Sequence, residues 1–209
     1  MSTTAEFVDT YLRETAEIAA ATSREDMAGV IDVLFEAYLH DRTIFTCGNG
    51  GSAANASHLA CDIAKFTWAE GKRRFRCSSL CDNAALISAL TNDVGFNRIF
   101  LEQLEGRMVP GDVLVLLSVH GGSGADKAGP WSQNLVSAAD FARKKGGKVV
   151  ALVGYDGGAL RTMADASILV PRSASGHTST PHVEGFHEVF HHLICERLLQ
   201  LVKSEGPDA

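Results

Sequence analysis

The sequence of 209 residues lacks several features that mark common classes of protein. It has no apolar run that approaches the roughly 18 residues needed to cross a bilayer, and its first segment is acidic and amphipathic rather than basic and then apolar. Its 19 basic residues are outnumbered by 25 acidic ones, which gives a net charge of -6. A basic surface for nucleic acid or for an anionic membrane is therefore not expected, and the sequence predicts a cytoplasmic protein.

Cysteines are also few, and their spacing is irregular. The five cysteines are odd in number, and none of them forms a CxxC pair. This pattern argues against a disulfide framework and against a zinc ribbon, so we expect reduced and mostly buried thiols. The sequence contains no internal repeat and no low-complexity tract. With 45% hydrophobic residues, residues 1–209 are expected to fold as a single domain with its own core.

The hydrophobic pattern predicts an α/β fold. Two helices open the chain, within residues 1–41, and their apolar stripes exceed what one small sheet can cover, so we expect them to contact other subunits. Short apolar strands such as VLVLLSV and KVVALVGY then alternate with helices, which is typical of a parallel sheet covered on both faces. The predicted strands are 43–47, 75–80, 113–119, 148–155 and 167–170, and the predicted helices among them are 52–66, 82–91, 96–108, 132–145, 158–164 and 181–203.

Two glycine-rich loops follow predicted strands, at the edge of a parallel sheet where ligands bind. Residues 48–52, GNGGS, lead from a strand into a helix, so that backbone N–H groups and the Ser52 hydroxyl can bind an anion. This loop lacks the GxGxxG spacing of dinucleotide-binding folds and the GK[ST] of a P-loop, and alone it is as consistent with a structural turn. Residues 118–124, SVHGGSG, place hydroxyls and glycines after a second strand. Together the two loops predict a site for a phosphorylated small molecule.

Histidines and carboxylates recur at helical spacing. His58 and Asp62 are four residues apart, and so are His187 and His191 on the last predicted helix. Such pairs can form a tetrahedral metal site, or a general acid and a general base on either side of a substrate. The alternative is that they are solvated helix faces.

The last predicted helix is unusually rich in histidine, since it carries four of the eight in the chain. His187 and His191 fall on or close to its apolar stripe, and a polar stripe that borders an apolar one is expected at the wall of a pocket. We expect His182 and His192 to lie to the side of that wall.

Four segments together resemble one known family. They are CGNGGSAANASHLACDIAKF at 47–66, TNDVGF at 91–96, the loop at 118–123 and the histidine-bearing last helix. The sequence is similar over about residues 5–203 to the phosphoheptose isomerases of the sugar isomerase (SIS) family. The resemblance implies a flavodoxin-like three-layer α/β/α fold with a five-stranded parallel sheet, and a homotetramer with active sites between subunits. It also implies conversion of sedoheptulose 7-phosphate to D-glycero-D-manno-heptose 7-phosphate through a cis-enediol, often with a zinc ion.

The resemblance also assigns roles to individual residues. It places the catalytic base at Asp62 and the catalytic acid at His191. The family's glutamine ligand to the metal falls on Val183, which cannot coordinate, so His187 or Glu184 is expected to replace it. The implied zinc ligands are His58, Asp62, His191 and His187, and the implied substrate and phosphate contacts are Asn49, Gly50, Gly51, Ser52, Asp93, Ser118 and Ser123.

The chain also departs from the family pattern. The family has glutamate where this chain has Asp62, one methylene shorter, which leaves open whether Asp62 is a base or mainly a metal ligand. The loop at 118–123 has two fewer hydroxyls and gains His120, which becomes an additional candidate for substrate contact, and an insertion over about 124–131 follows it. Two alternatives therefore stay open, a non-catalytic phosphosugar-binding protein and an isomerase of another phosphosugar.

Overall fold

The structure, a computed structural model, describes residues 3–122 and 131–206. The strands are β1 Thr43–Gly48, β2 Arg76–Ser79, β3 Val113–Ser118, β4 Lys148–Val153 and β5 Ala166–Leu169. The helices are α1 Thr4–Ala21, α2 Arg24–Leu39, α3 Gly51–Lys65, α4 Ala84–Val94, α5 Ile99–Glu105, α6 Gln133–Lys144, α7 Gly158–Met163 and α8 Thr180–Ser204. All strand pairs are parallel, in the order β2-β1-β3-β4-β5. This is the flavodoxin-like order, and the predicted α/β fold class is confirmed.

The sheet is buried on both faces, as the strand composition predicts. On β3, Val113, Val115 and Leu117 pack into a cluster with α2, α3 and α8. The alternate residues Leu114 and Leu116 pack into a second cluster with α5, α6 and α7 on the opposite face. Because successive side chains of a strand point to opposite faces, one continuous apolar strand supplies both cores. The architecture is therefore three layers, α/β/α.

The two leading helices begin at residues that cap them. Thr3 and Glu6 form a capping box at the start of α1, and the Ser23 hydroxyl accepts a hydrogen bond from the backbone N–H of Asp26 at the start of α2. Helix α2 buries most of its apolar stripe, whereas Phe7 and Leu12 of α1 are each 61% exposed. Part of the apolar surface of α1 therefore lies outside the core.

Helix α4 is apolar in sequence, AALISALTNDV, yet it buries none of its residues. Beyond it, residues 96–98 form a 3-10 helix (Phe96–Arg98), and the α-helix begins only at residue 99 and ends at residue 105. The single helix predicted over 96–108 is thus wrong at both ends. In the parts of the chain that the structure describes, no helix combines the length and apolar character needed to cross a membrane.

Helices α3 and α8 pack side by side and run in the same direction. Near their N-termini the Asn55 side chain donates a hydrogen bond of 2.8 Å to the backbone carbonyl of Glu184. Further along both helices, His191 Nε2 lies 3.3 Å from an oxygen of Asp62. Both helices therefore begin at the carboxyl edge of the sheet and run away from that edge. They carry one group of candidate site residues near their N-termini and a second group further along.

Candidate active site

The loop between β1 and α3 has the geometry of an anion-binding turn. Gly50 adopts a φ of 57°, a left-handed conformation that suits glycine, and α3 begins at the next residue. The Asn49 amide is fixed by two reciprocal side-chain hydrogen bonds with Asn134, of 3.0 and 2.8 Å. Ser52, in the first turn of α3, is almost fully buried. The loop thus presents a helix N-terminus and a hydroxyl from a rigid setting.

A cavity of about 100 Å³ lies between this loop and the end of β3. Ser118 lines it, and its hydroxyl accepts a hydrogen bond of 3.1 Å from the backbone N–H of Gly121. The lining residues are Asn49, Ser52, Leu117, Ser118, Val119, His120, Ser132 and Glu184. Four of the predicted substrate contacts therefore meet in one cavity.

The other predicted substrate contacts lie elsewhere. Gly50 and Gly51 belong to the loop and the helix start beside the cavity. Asp93 is exposed near the end of α4, where it accepts a hydrogen bond from the Asn92 amide, and it does not line the cavity. Ser123 lies outside the described residues, as does most of the predicted insertion. The cavity is consequently defined by the loop after β1, the start of α3, the end of β3 with the loop that follows it, Ser132 before α6, and the start of α8.

Glu184 of α8 places its carboxylate against the N-terminus of α3. A Cβ atom on Gly51 would lie 2.5 Å from a carboxylate oxygen of Glu184, so a larger residue at position 51 would displace this flexible side chain. The glycine-rich loop at 48–52 predicts a bound anion at this helix N-terminus. The sequence did not indicate that a carboxylate of the chain itself, that of Glu184, lies there. A substrate phosphate in this cavity would meet the Glu184 carboxylate, which must turn aside or accept a hydrogen bond from a substrate hydroxyl.

His120 forms one side of the cavity and belongs to an aromatic group. Its ring stacks on Tyr155 with centroids 4.4 Å apart, and Trp131 contacts it edge-on at 5.4 Å. Tyr155 has a φ of 54°, which is uncommon for a residue with a side chain. The stacking fixes the imidazole at the side of the cavity. His120 therefore lies where a substrate contact was expected.

A cluster of histidines around Asp62 lies further along α3 and α8. One oxygen of Asp62 is 3.6 Å from His58 Nε2, 3.3 Å from His191 Nε2 and 3.5 Å from His192 Nε2. One donor atom from each of these four residues lies within 4.8 Å of the others. Imidazole nitrogens and a carboxylate at this spacing can hold a zinc-like ion, or they can transfer protons at a bound substrate. The structure thus brings together three of the predicted residues, His58, Asp62 and His191.

His191 is the most constrained member of the cluster. Its ring is fully buried, and neither nitrogen makes a hydrogen bond within the described chain although carboxylate oxygens of Asp62 and Glu188 lie 3.3 Å away. Burial lowers the pKa of His191, and the neighbouring His192 and His58 lower it further against the opposing pull of the two carboxylates. The burial of His191 therefore favours the neutral imidazole over the charged form.

Two residues of the cluster were not predicted. His192 was expected beside the pocket wall, but its side chain reaches Asp62, so that expectation was wrong. Glu188 lies 3.1 Å from His58 Nδ1 and 3.3 Å from His191 Nδ1. Position 188 is three residues before 191, and this i, i+3 spacing was the available signal for a carboxylate beside the histidines.

His187 does not join this cluster. Its side chain is fully buried, both ring nitrogens lack hydrogen-bond partners, and it is absent from the groups of potential metal ligands that the described residues form. Burial lowers its pKa to about 3. The side chain therefore occupies the core as a neutral imidazole, and the arrangement gives no support to its predicted role as a metal ligand.

Replacing His187 by leucine should make the protein less sensitive to acid. The unfolded chain binds a proton at this residue below about pH 6.5 while the folded chain does not, so the wild type loses roughly 1.4 kcal/mol per pH unit from this group as the pH falls toward 3. The stability from a neutral His187 is fully present above pH 6.5. Urea unfolding at pH 7 and pH 5 should show a loss about 2 kcal/mol smaller in His187→Leu than in the wild type. Equal losses would contradict this, and the exposed His40→Leu provides the control.

The cavity and the cluster are connected by α3. Ser52 lines the cavity and His58 belongs to the cluster, and the helical rise of 1.5 Å per residue separates the two by about 9 Å along the axis. On α8, Glu184 likewise lines the cavity and His191 likewise belongs to the cluster. One small elongated molecule, anionic at one end, can therefore contact both places at once.

Comparisons with known proteins identify relatives of this chain. A family model described as SIS domain matches residues 7–154. The chain is 41% identical over 188 residues to the lincomycin biosynthesis protein LmbN of Streptomyces lincolnensis, which covers 90% of this chain and 67% of that protein. It is 33% identical over 163 residues to the phosphoheptose isomerase of Nitratiruptor sp., covering 78% and 79% of the two chains. The structure of phosphoheptose isomerase from Neisseria gonorrhoeae is similar with a TM-score of 0.75 at 27% identity, over 93% of this chain and 95% of that one.

Proposed function

This chain belongs to the SIS domain family and is a phosphosugar isomerase, and we propose that it converts sedoheptulose 7-phosphate to D-glycero-D-manno-heptose 7-phosphate. The observation that carries the proposal is the placement of an anion-binding cavity and a histidine–carboxylate cluster on the same two helices, with the cavity near both N-termini and the cluster further along. The phosphate would bind at Ser52 and Ser118, with Asn49 beside it. The reacting carbons would then lie beside the Asp62 carboxylate and the His191 ring, which are themselves 3.3 Å apart.

The reaction moves one proton between carbons and another between oxygens. We assign the carbon step to Asp62: its carboxylate takes the proton from C1, the C–H electron pair forms a double bond to C2, and the carbonyl oxygen on C2 gains a proton. The product of this step is a cis-enediol. Return of the proton to C2 and loss of the proton from the C1 hydroxyl give the aldose.

His191 is assigned the transfer between the two oxygens. A neutral imidazole has one N–H to donate and one lone pair to accept a proton, and the lowered pKa of His191 keeps it in this form. Both ring nitrogens are buried, so the surrounding side chains must move for the imidazole to reach the substrate oxygens. Glu188, 3.3 Å from His191 Nδ1, orients the ring from the opposite side.

The residues around Asp62 also fit a metal ion. The fit rests on the four donor atoms within 4.8 Å of one another and on the buried nitrogens of His191 that lack hydrogen-bond partners. His58, Asp62, His191 and His192 would hold zinc, with the exposed His192 in the place earlier expected for His187. Bound zinc would polarise the substrate carbonyl and stabilise negative charge on its oxygen.

A second candidate substrate is another ketose phosphate. The identity to the lincomycin biosynthesis protein, 41%, exceeds the 33% to the Nitratiruptor phosphoheptose isomerase. The cavity is also lined by the His120 ring, which Trp131 contacts edge-on, and by the Glu184 carboxylate. These side chains lie where the part of the sugar nearest the phosphate would bind, so they favour a substrate that differs there.

We further propose that the enzyme is a cytoplasmic homotetramer. The apolar surfaces of α1 and α4 support assembly, since Phe7, Leu12, Leu86 and Val94 are exposed in the single chain. The five cysteines are all unpaired thiols, in keeping with a reducing compartment. Light scattering that returns the mass of one 22.3 kDa chain would contradict the assembly.

The purified protein should convert sedoheptulose 7-phosphate to its aldose isomer. The reaction would be followed by NMR in the presence of added zinc, with chelator, and with neither, alongside a panel of ketose phosphates of different chain lengths. Faster turnover of another member of the panel would favour the second candidate. A thermal shift with sugar phosphates but no aldose product under any condition would overturn the isomerase assignment and support a non-catalytic binding protein.

A further inference from the structure

A second group of potential metal ligands lies outside the proposed active site. We propose that Glu14, His177 and His182 bind a transition metal ion of the zinc type. One donor atom from each residue lies within 4.8 Å of the other two. The three residues come from helix α1, from the connection that follows β5, and from the first turn of α8, so the fold and not the local sequence brings them together.

The carboxylate of Glu14 is buried and already anionic. It lies 2.9 Å from His177 Nδ1, and its other oxygen accepts a hydrogen bond of 3.3 Å from the Ser175 hydroxyl. The hydrogen bond from His177 lowers the pKa of Glu14 against the opposing effect of burial. Only 9% of this side chain is exposed, and a carboxylate in such a place needs positive charge nearby. A metal ion would supply it.

His182 provides the strongest sign of a missing partner. The residue is 2% exposed, and its ring stacks on Tyr11 with centroids 4.1 Å apart. Its Nδ1 lies 3.1 Å from the Ser179 hydroxyl, whereas its Nε2 is buried without a hydrogen-bond partner in the described chain. Because a buried imidazole nitrogen without a partner costs free energy, this nitrogen is the one left to bind an ion.

The donor set and the spacing suit zinc. Two nitrogens and one carboxylate are common zinc ligands, and ligands of a tetrahedral ion at about 2.1 Å lie roughly 3.4 Å apart. Glu14 and His182 are held in helices, but His177 lies in the connection before α8 with a half-exposed side chain, so it can move the remaining distance. A fourth position would be open to water. The ion would tie α1 to the N-terminus of α8, two residues before Glu184 of the cavity.

Zinc binding can be measured with the Asp62 cluster disabled. In the full-length double variant His58→Ala/His192→Ala, both of whose changed side chains are about half exposed, competition with a chromophoric chelator should still show one zinc bound per chain. Adding His177→Ala should weaken that binding at least tenfold and remove the zinc-dependent rise in Tm. Adding His40→Ala instead, which removes the exposed His40–Glu36 pair, should change neither.

The outcomes separate this site from the proposed active site. Absence of zinc binding in the double variant, or binding that His177→Ala leaves unchanged, would overturn the proposal and leave Glu14 and His177 as an ion pair only. Neither result would bear on isomerase activity in the wild type, since the second site shares no residue with the Asp62 cluster.

Discussion

Replacing Asp62 by asparagine should lower kcat for the isomerase reaction by about 10²–10⁴-fold, the usual contribution of a positioned general base. The amide cannot accept the C1 proton, and its oxygen is a weak ligand for a cation. The three imidazoles within 3.6 Å of Asp62 would also lose their common anionic partner. The measurement is steady-state turnover of sedoheptulose 7-phosphate, or of the best substrate of the ketose phosphate panel. Activity of Asp62→Asn within tenfold of the wild type would contradict the assignment.

Two further variants show why Asp62→Asn loses activity. Cys61→Ala changes the adjacent, exposed residue of α3 and should leave turnover unchanged, which excludes a general effect of altering this helix. Asp62→Glu keeps the carboxylate on a side chain that is one methylene longer and should retain much of the activity that Asp62→Asn loses. If zinc titration shows unchanged affinity in Asp62→Asn while turnover is lost, Asp62 acts as a base. If affinity and turnover fall together, its role as a ligand dominates.

The sequence predicts the fold well because the strands carry their own signal. The run VLVLLS of β3 is apolar throughout, and such a strand is stable only between two helical layers. Helix α4 is a different case: it is apolar in sequence, yet Leu86 and Val94 are exposed in the single chain, and Ile87 and Leu90 are only partly buried. A hydrophobic pattern indicates that a surface becomes buried. It does not indicate whether the residues that bury it belong to the same chain or to another subunit.

The candidate site is predictable where it depends on helical periodicity. The spacing of His58 and Asp62 correctly places both on one face of α3, and His191 correctly faces them from α8. His192 was missed because it lies about 100° around the helix from His191. A long side chain at the edge of a helix face can still reach the neighbouring helix, which a rule based on angle alone overlooks.

Two other contacts between distant segments were not predicted from the sequence. The Glu184 carboxylate reaches the N-terminus of α3 only because two parallel helices pack in a particular register. Glu14 and His177 are 163 residues apart, and no local pattern connects them. Such pairs depend on tertiary packing, which a periodic pattern along one segment does not contain.

The loop that carries Ser118 and His120 should tolerate no side chain at Gly121. This glycine has a φ of 65°, and a Cβ atom there would lie 1.8 Å from the backbone carbonyl oxygen of Gly157. The clash is with backbone, so it cannot be relieved by rotating a side chain. The left-handed conformation and the overpacking together should lower the free energy of unfolding of Gly121→Ala by about 3 kcal/mol. For a chain of this length that corresponds to a fall in Tm of about 6–12 °C.

Gly176→Ala is the matched control, because Gly176 also has a positive φ, 80°, but has no atom within 4 Å of the added Cβ. Gly176→Ala should lower the free energy of unfolding by only about 1 kcal/mol, the cost of a left-handed conformation for alanine. The corresponding fall in Tm is about 2–4 °C. Because the Gly121 N–H donates to the Ser118 hydroxyl, Gly121→Ala should also raise KM for the phosphosugar, which the control should not do. Equal Tm values for the two variants would show that the 118–122 loop moves freely away from Gly157, and a rigid phosphate cavity would then be excluded.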